Sequence, residues 1–354
     1  MFTFELGDMI LLMISPTIQD AKQDAWIAHI IASLLGVFIV YIAIKVAQSF
    51  PELSFVQFSK KTFGRWLGII IILLYFFQWI TVIPIILVES ANFINTILLP
   101  QTTTWLIYFL LIGLLIFMMY NGSLQTIGFL SEVFGPIILI VLFFFIALIS
   151  KEFYVGNILP IYYDSGISSI LRGVLSPLSY FSESVVMLVL IYFTSHEENK
   201  QVMKSALWGV TLSAMFSGII LISVLFTFGP NISADMLYPA FDMVSYIFVM
   251  EFIQNMEILA VLISVLSVFI KLSIYYFLVC YIIAQLLKTE NLNKIALYIA
   301  PIIFIIAILI PNISSVLKYV NTFWIYFALP IQMFGIPLLF YMIIKIKKVF
   351  MNKS

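Results

Sequence analysis

Apolar runs of about 20 residues follow one another almost from end to end of this chain of 354 residues. A helix of that length crosses a hydrocarbon core of ~30 Å. Hydrophobic residues make up 63% and charged ones only 10%, a balance that would leave very large apolar patches exposed in water. Strand-length alternation is absent, which argues against a membrane barrel. The chain therefore reads as an all-α integral membrane protein with about ten transmembrane helices.

Hydropathy places the spans near residues 4–18, 27–47, 66–98, 104–120, 126–149, 168–193, 205–228, 254–287, 295–311 and 324–344. With the N-terminus cytoplasmic, the cytoplasmic turns hold Lys45, Lys60, Lys61, Arg65, Lys200, Lys204, Lys288 and Lys294, and the tail holds Lys345, Lys347, Lys348 and Lys353. The opposite turns hold only Lys22, Lys151, Arg172 and Lys318. That asymmetry puts both termini in the cytoplasm. Net charge is zero, with 17 basic and 17 acidic residues, so no basic field for nucleic acid exists. No cleavable signal peptide is expected, because Met1 is followed by Glu5 and Asp8 rather than by a basic segment.

The third and eighth spans run for about 33 and 34 residues, roughly 50 Å each. They stand five spans apart, as two five-helix repeats would place them. The segments before them, Phe50 to Gly64 and Gly229 to Phe252, are both long, partly apolar and on opposite sides, which suits inverted topology. Leu53, Val56 and Phe63 share one face, suggesting a short helix in the interface. One membrane domain is expected, with a first repeat over residues 1–150, a second over 151–345 and a tail over 346–354. Ordinary variation in span and loop length is the plainer alternative.

An ionisable side chain within a span costs about 2.5–3.5 kcal/mol, so each is a candidate for function. Five qualify: Glu89, Glu132, Glu183, Glu257 and Lys271. Glu89 and Glu257 fall close enough to a membrane surface to read as solvated edge residues. Lys271 lies too deep to snorkel and needs an anion. Glu183 and Glu132 are its expected partners, either as a structural ion pair or as a proton relay.

In the sixth span, Leu175-Ser-Pro-Leu-Ser-Tyr-Phe-Ser-Glu183 interrupts an apolar stretch, and in the first span Gly7 and Asp8 do the same. Two broken helices five spans apart point to a substrate site at the midplane. Half-helix N-termini would hold a ligand carboxylate. Ser179 and Ser182 would add hydrogen bonds, and Tyr180 and Phe181 would shape the side-chain pocket. The alternative is that Pro177 merely kinks a packed helix.

Cys280 is alone and His29 and His196 are far apart, so neither a disulfide nor a metal site is expected. No G-x-S-x-G, H-E-x-x-H or G-x-x-x-x-G-K-[ST] pattern occurs, which argues against an enzyme or an ATP-driven pump. No cofactor is expected.

Gln23-Asp24-Ala25-Trp26, Phe50-Pro51, Gly64-Arg65-Trp66-Leu67-Gly68, Asn157-Ile-Leu-Pro160, Glu183 and Tyr238-Pro239, in this order and spacing, resemble the B subunits of spore germination receptors. Glu251-Phe252 followed by Lys271 resembles that family's entry to its eighth helix. The likeness extends from about Gly7 to the last span. It implies an amino acid/polyamine/organocation permease fold with a five-plus-five inverted repeat. It also implies recognition of a nutrient germinant, often an amino acid, beside an A subunit and a lipoprotein C subunit in the inner spore membrane. Gly7 matches the family's glycine in the first helix, whereas Met9 stands where the family has another. Only six residues precede Gly7, so the expectation is that the natural start lies upstream. A proton-coupled amino acid transporter is the main rival reading, and a structural subunit without ligand is a third.

Overall fold

The computed structural model describes residues 1–122, 124–163, 165–194, 199–246 and 256–351, with the side chains of 199 and 348–351 left aside. His196, Glu251, Phe252 and Lys353 lie outside the described residues. The chain is helical nearly throughout, in the order α1 (Phe2–Leu12), α2 (Ile14–Ala21), α3 (Ala25–Gln48), α4 (Phe55–Ile97), α5 (Thr104–Asn121), α6 (Leu124–Ile149), α7 (Gly166–Gly173), α8 (Leu175–Phe181) and α9 (Met187–Leu190). There follow α10 (Asn199–Asp235), α11 (Pro239–Ser245), α12 (Met256–Leu287), α13 (Leu292–Leu309), α14 (Ile313–Tyr319) and α15 (Ile336–Met351). Among the described residues nine helical runs are long and apolar enough to cross a membrane, the first from Ile14 to Gln48. Helix α1, with 11 residues, is too short to cross alone and continues into α2 after Met13.

Burial divides these helices into an inner and an outer set. Nine of the eleven residues of α1 are buried, and within the run Gly166–Phe193 an 18-residue window is 89% buried, so both are enclosed by other helices. In contrast α5, α6 and α13 expose Phe109, Phe117, Phe143 and Tyr298. Large apolar side chains facing outward all along a helix suit a lipid surroundings rather than water.

Two glycines bend the chain in nearly the same way. Gly64 within α4 has φ 80° and ψ 174°, and Gly229 within α10 has φ 73° and ψ 171°. Side-chain-bearing residues avoid this region. At Gly64 the segment beginning at Phe55 folds back, so that Phe55 meets Tyr75 and Trp79 with ring centroids 5.3 and 6.4 Å apart. A Cβ at Gly68 would stand 2.7 Å from the Lys60 backbone, which shows how tight the reversal is. The short interfacial helix expected before the third span is thus the first arm of α4. It starts at a capping box in which Ser54 and Gln57 each accept from the other's backbone N–H, at 3.3 and 2.9 Å. Beyond Gly229 the chain packs onto α2, where Gln19 donates to the Ala234 carbonyl at 2.7 Å.

The turn between α2 and α3 is held by the loop that follows α6. Asp24 accepts from the Tyr162 backbone N–H at 2.9 Å and from the Ser165 hydroxyl at 2.5 Å, and Gln23 donates to the Pro160 carbonyl at 2.9 Å. Asn157 donates to the Phe226 carbonyl of α10 at 3.0 Å. The residues that carry the family likeness here therefore tie distant parts of the bundle together.

Between α14 and α15 the helix widens to a π-type spiral over Val320–Gly335. Such stretches are rare and concentrate where function needs an altered side-chain register. Gln332 fastens it to α4: its side chain donates to the Leu74 carbonyl at 3.1 Å, and the Tyr75 hydroxyl donates to the Gln332 backbone carbonyl at 2.5 Å.

Candidate functional site

The interruption expected at Gly7 and Asp8 lies elsewhere. Helix α1 runs unbroken through both residues, and the chain bends at Met13. Gly7 serves packing, since a Cβ there would be 3.2 Å from the Ser267 carbonyl oxygen of α12. The sixth span also departs from expectation. From Val174 to Ile191 its helix ends keep right-handed torsions, and Ser182–Val186 tightens to a 3₁₀ turn instead of unwinding. Pro177 sits early in α8, near a helix start, where the missing N–H costs little. The half-helix ends that were to receive a ligand carboxylate do not form in these segments.

What α1 and the sixth span share is a buried charge cluster. Lys271, with no exposed surface, sits on α12 and forms ion pairs with Asp8 of α1 and with Glu183 of the 3₁₀ turn, the latter at 2.7 Å. Tyr275, one helical turn beyond Lys271, donates to the same Glu183 oxygen at 2.5 Å. The Lys271 ammonium also lies 5.3 Å from the Phe4 ring and 5.8 Å from the Tyr180 ring, both faces attractive to a cation. A buried ammonium is tolerated only with partners of this quality.

Glu132 is not one of them. It is exposed on α6 and lines a separate open cleft beside Met1 and Phe2. Glu89 also differs from its reading as a solvated edge residue. It is buried, with 2% of its surface exposed, and its Oε2 has no hydrogen-bond partner among the described residues. Glu257 is half-buried near the start of α12.

Asp8, Glu89, Ser179, Tyr180 and Glu183 line one narrow cavity with room for about one water molecule, closed by Val82, Ile85 and Ile86 of α4 and by Val320 and Trp324 of the π-type segment. Not every residue expected at the site faces it. Ser179 does, but its hydroxyl donates to the Ser176 carbonyl at 2.6 Å, and the Ser182 hydroxyl donates to that of Leu178 at the same distance. Phe181 packs away from the cavity against His29 of α3, with centroids 5.4 Å apart. Gly36 makes room for it, since a Cβ there would fall 2.4 Å from the Phe181 Cβ.

A second, roomier cavity lies between α1, α4, α6, α10, α11 and α12. Its lining is apolar apart from the hydroxyls of Tyr238, Ser264 and Ser267, and it holds no charged group. The chemistry of recognition therefore concentrates at the smaller cavity. No group of His, Cys, Asp and Glu among the described residues has a geometry suited to a metal ion.

A family model described as spore germination protein matches residues 1–316. The chain is 24% identical to spore germination protein YndE of Bacillus subtilis (strain 168), over 89% of this chain and 87% of the relative. It is 23% identical to spore germination protein KB of the same organism, over 99% and 94%, and 24% identical to spore germination protein XB of Bacillus anthracis, over 84% and 82%. In fold it is similar to Mhp1, a nucleobase-cation-symport-1 family transporter solved in a closed conformation with bromovinylhydantoin bound. That likeness has a TM-score of 0.58 at 12% identity and covers 94% of this chain and 73% of the transporter.

Proposed function

Because the chain belongs to the spore germination protein family, we propose that it is the nutrient-recognising B subunit of a germinant receptor. It binds a small nutrient such as an amino acid in the central cavity and triggers germination together with an A subunit and a lipoprotein C subunit. Its place is the inner membrane of the spore, with both termini cytoplasmic. It works as a receptor and not as an enzyme.

One observation carries this reading. A cavity lined by Asp8, Glu89 and Glu183 is enclosed by α1, α4, the sixth span and the π-type segment, within a transporter-type fold. A ligand there touches elements from both ends of the sequence. It shifts the balance between two arrangements of the bundle to the extent that it binds one of them better. Such a shift is the signal a receptor needs, and it requires no net transport.

The rival is a proton-coupled amino acid transporter, favoured by the buried Lys271, Asp8 and Glu183 cluster, which resembles a relay of protonatable groups. Uptake of labelled amino acid into proteoliposomes, with and without a proton gradient, separates the two. A receptor gives no uptake under either condition, whereas gradient-dependent uptake favours the transporter. In spores, substitution of Ser179 or Glu183 shifts the nutrient dose response while the chain remains in the membrane. An unchanged response in both variants contradicts the site.

A further inference from the structure

The groups around the central cavity are unevenly charged. Asp8, Glu89 and Glu183 line it, and the ammonium of Lys271 is held by Asp8 and Glu183. Lys271 therefore spends its charge on two of the three carboxyls. Glu89 is left over, nine-tenths and more buried, facing the cavity, with Oε2 unpartnered among the described residues. A fourth carboxyl, Glu5 of α1, is also buried and has an oxygen without a partner among the described residues.

A buried carboxyl oxygen without a partner is costly, and the cost falls when a donor or a cation reaches it. A ligand carboxylate entering this cavity would meet three acidic side chains and an already paired ammonium. A ligand ammonium would meet the Glu89 oxygen, which has no hydrogen-bond partner among the described residues. Its alkyl part would meet Val82, Ile85, Ile86, Val320, Tyr180 and Trp324, side chains that must part to admit it. We propose that Glu89 is the ammonium-binding residue of the cavity, and that the site selects ligands by a protonated primary amine rather than by a carboxylate. This inference rests on the reading of the cavity as the nutrient site and names the group that the site recognises.

The test uses the full chain in lipid nanodiscs. The probes are ethylammonium, n-butylammonium, L-alanine and L-valine, set against propionate and butyrate. Two readouts are followed: the unfolding midpoint, and modification of Glu89 by a hydrophobic carbodiimide mapped by mass spectrometry. Ammonium-bearing probes raise the midpoint and slow modification of Glu89 by about threefold or more, as binding to the folded state requires. The carboxylates do neither. E89Q removes the midpoint shift and E89D retains part of it. If E89Q does not fold, protection of the wild-type residue decides alone. Absence of protection by every ammonium probe, or equal protection by carboxylates, overturns the proposal. Protection by ammonium in nanodiscs, with normal germination in spores carrying cavity variants, would instead refute the nutrient-receptor reading and leave the ammonium site standing. The converse pattern keeps the receptor and rejects Glu89.

Discussion

Lys271 of α12 and Asp8 of α1, 263 residues apart in sequence, are joined by a buried ion pair. With Glu183 as the second anion, the pair locks the first helix to the eighth and sixth spans at the wall of the central cavity. Breaking one member of such a pair leaves uncompensated charge out of water. Lys271→Met is expected to lower stability by about 3–5 kcal/mol. The D8N/K271M double variant loses less, because only one carboxylate then remains unpaired. Unfolding in nanodiscs, followed by tryptophan fluorescence, measures both, and equal stability of K271M and wild type contradicts the role given to the pair.

A second prediction concerns Gly64 and Gly229, whose torsions lie where side chains are excluded. Nothing stands within 4 Å of a Cβ built on Gly64, so any loss on G64A reports backbone strain and not crowding. A cost of about 1–3 kcal/mol is expected at each position. If G64A unfolds at the wild-type temperature, the reversal in α4 does not need this torsion.

Gly36 tests how α3 positions the sixth span. The atom that a Cβ at Gly36 would strike is the Phe181 Cβ at 2.4 Å, which Phe181→Ala does not remove. G36A is therefore expected to destabilise by about 1–3 kcal/mol and to shift the cavity residues Ser179, Tyr180 and Glu183. The G36A/F181A variant is not rescued. Recovery in that double variant, in stability or in nutrient response, argues against the contact.

At Gly7 two effects oppose each other. Alanine favours a helix over glycine by about 0.5–1 kcal/mol, while its Cβ would press on the Ser267 carbonyl at 3.2 Å. G7A is expected near wild type. G7V, with two further methyl groups against α12, is expected to cost about 1–3 kcal/mol. The comparison of their unfolding midpoints separates a packing glycine from a helix-breaking one, which would tolerate neither or both alike.

Parts of this arrangement were legible in the sequence. Apolar run length located the nine membrane-length runs found among the described residues but also suggested a first span over 4–18 that is not among them, and the depth of Lys271 within its run already demanded an anion, with Glu183 among the candidates. Asp8 as partner was not legible, because hydropathy reports depth and leaves open which helices face one another. Glycine beside a carboxylate reads as a break, whereas here Gly7 permits close approach and Asp8 meets a lysine across it. Glu89 was misplaced for a related reason. Its distance from the end of an apolar run suggested a membrane edge, yet α4 is 43 residues long, and the stretch Val82–Glu89 lines the centre of the bundle. The side of α6 on which Glu132 lies is likewise set by packing that a one-dimensional pattern does not record.

The claim that the central cavity receives the nutrient is tested most directly by filling it. Val82 lines the cavity and carries no charge, so V82F narrows the space while leaving Lys271, Asp8 and Glu183 paired. The measurement is the germination rate of spores against nutrient concentration, expressed per molecule of this chain in the spore membrane. A receptor with its site here gives a dose response shifted to at least about tenfold higher nutrient, the equivalent of ~1.4 kcal/mol of lost affinity. A V82F curve that overlays the wild type contradicts the account.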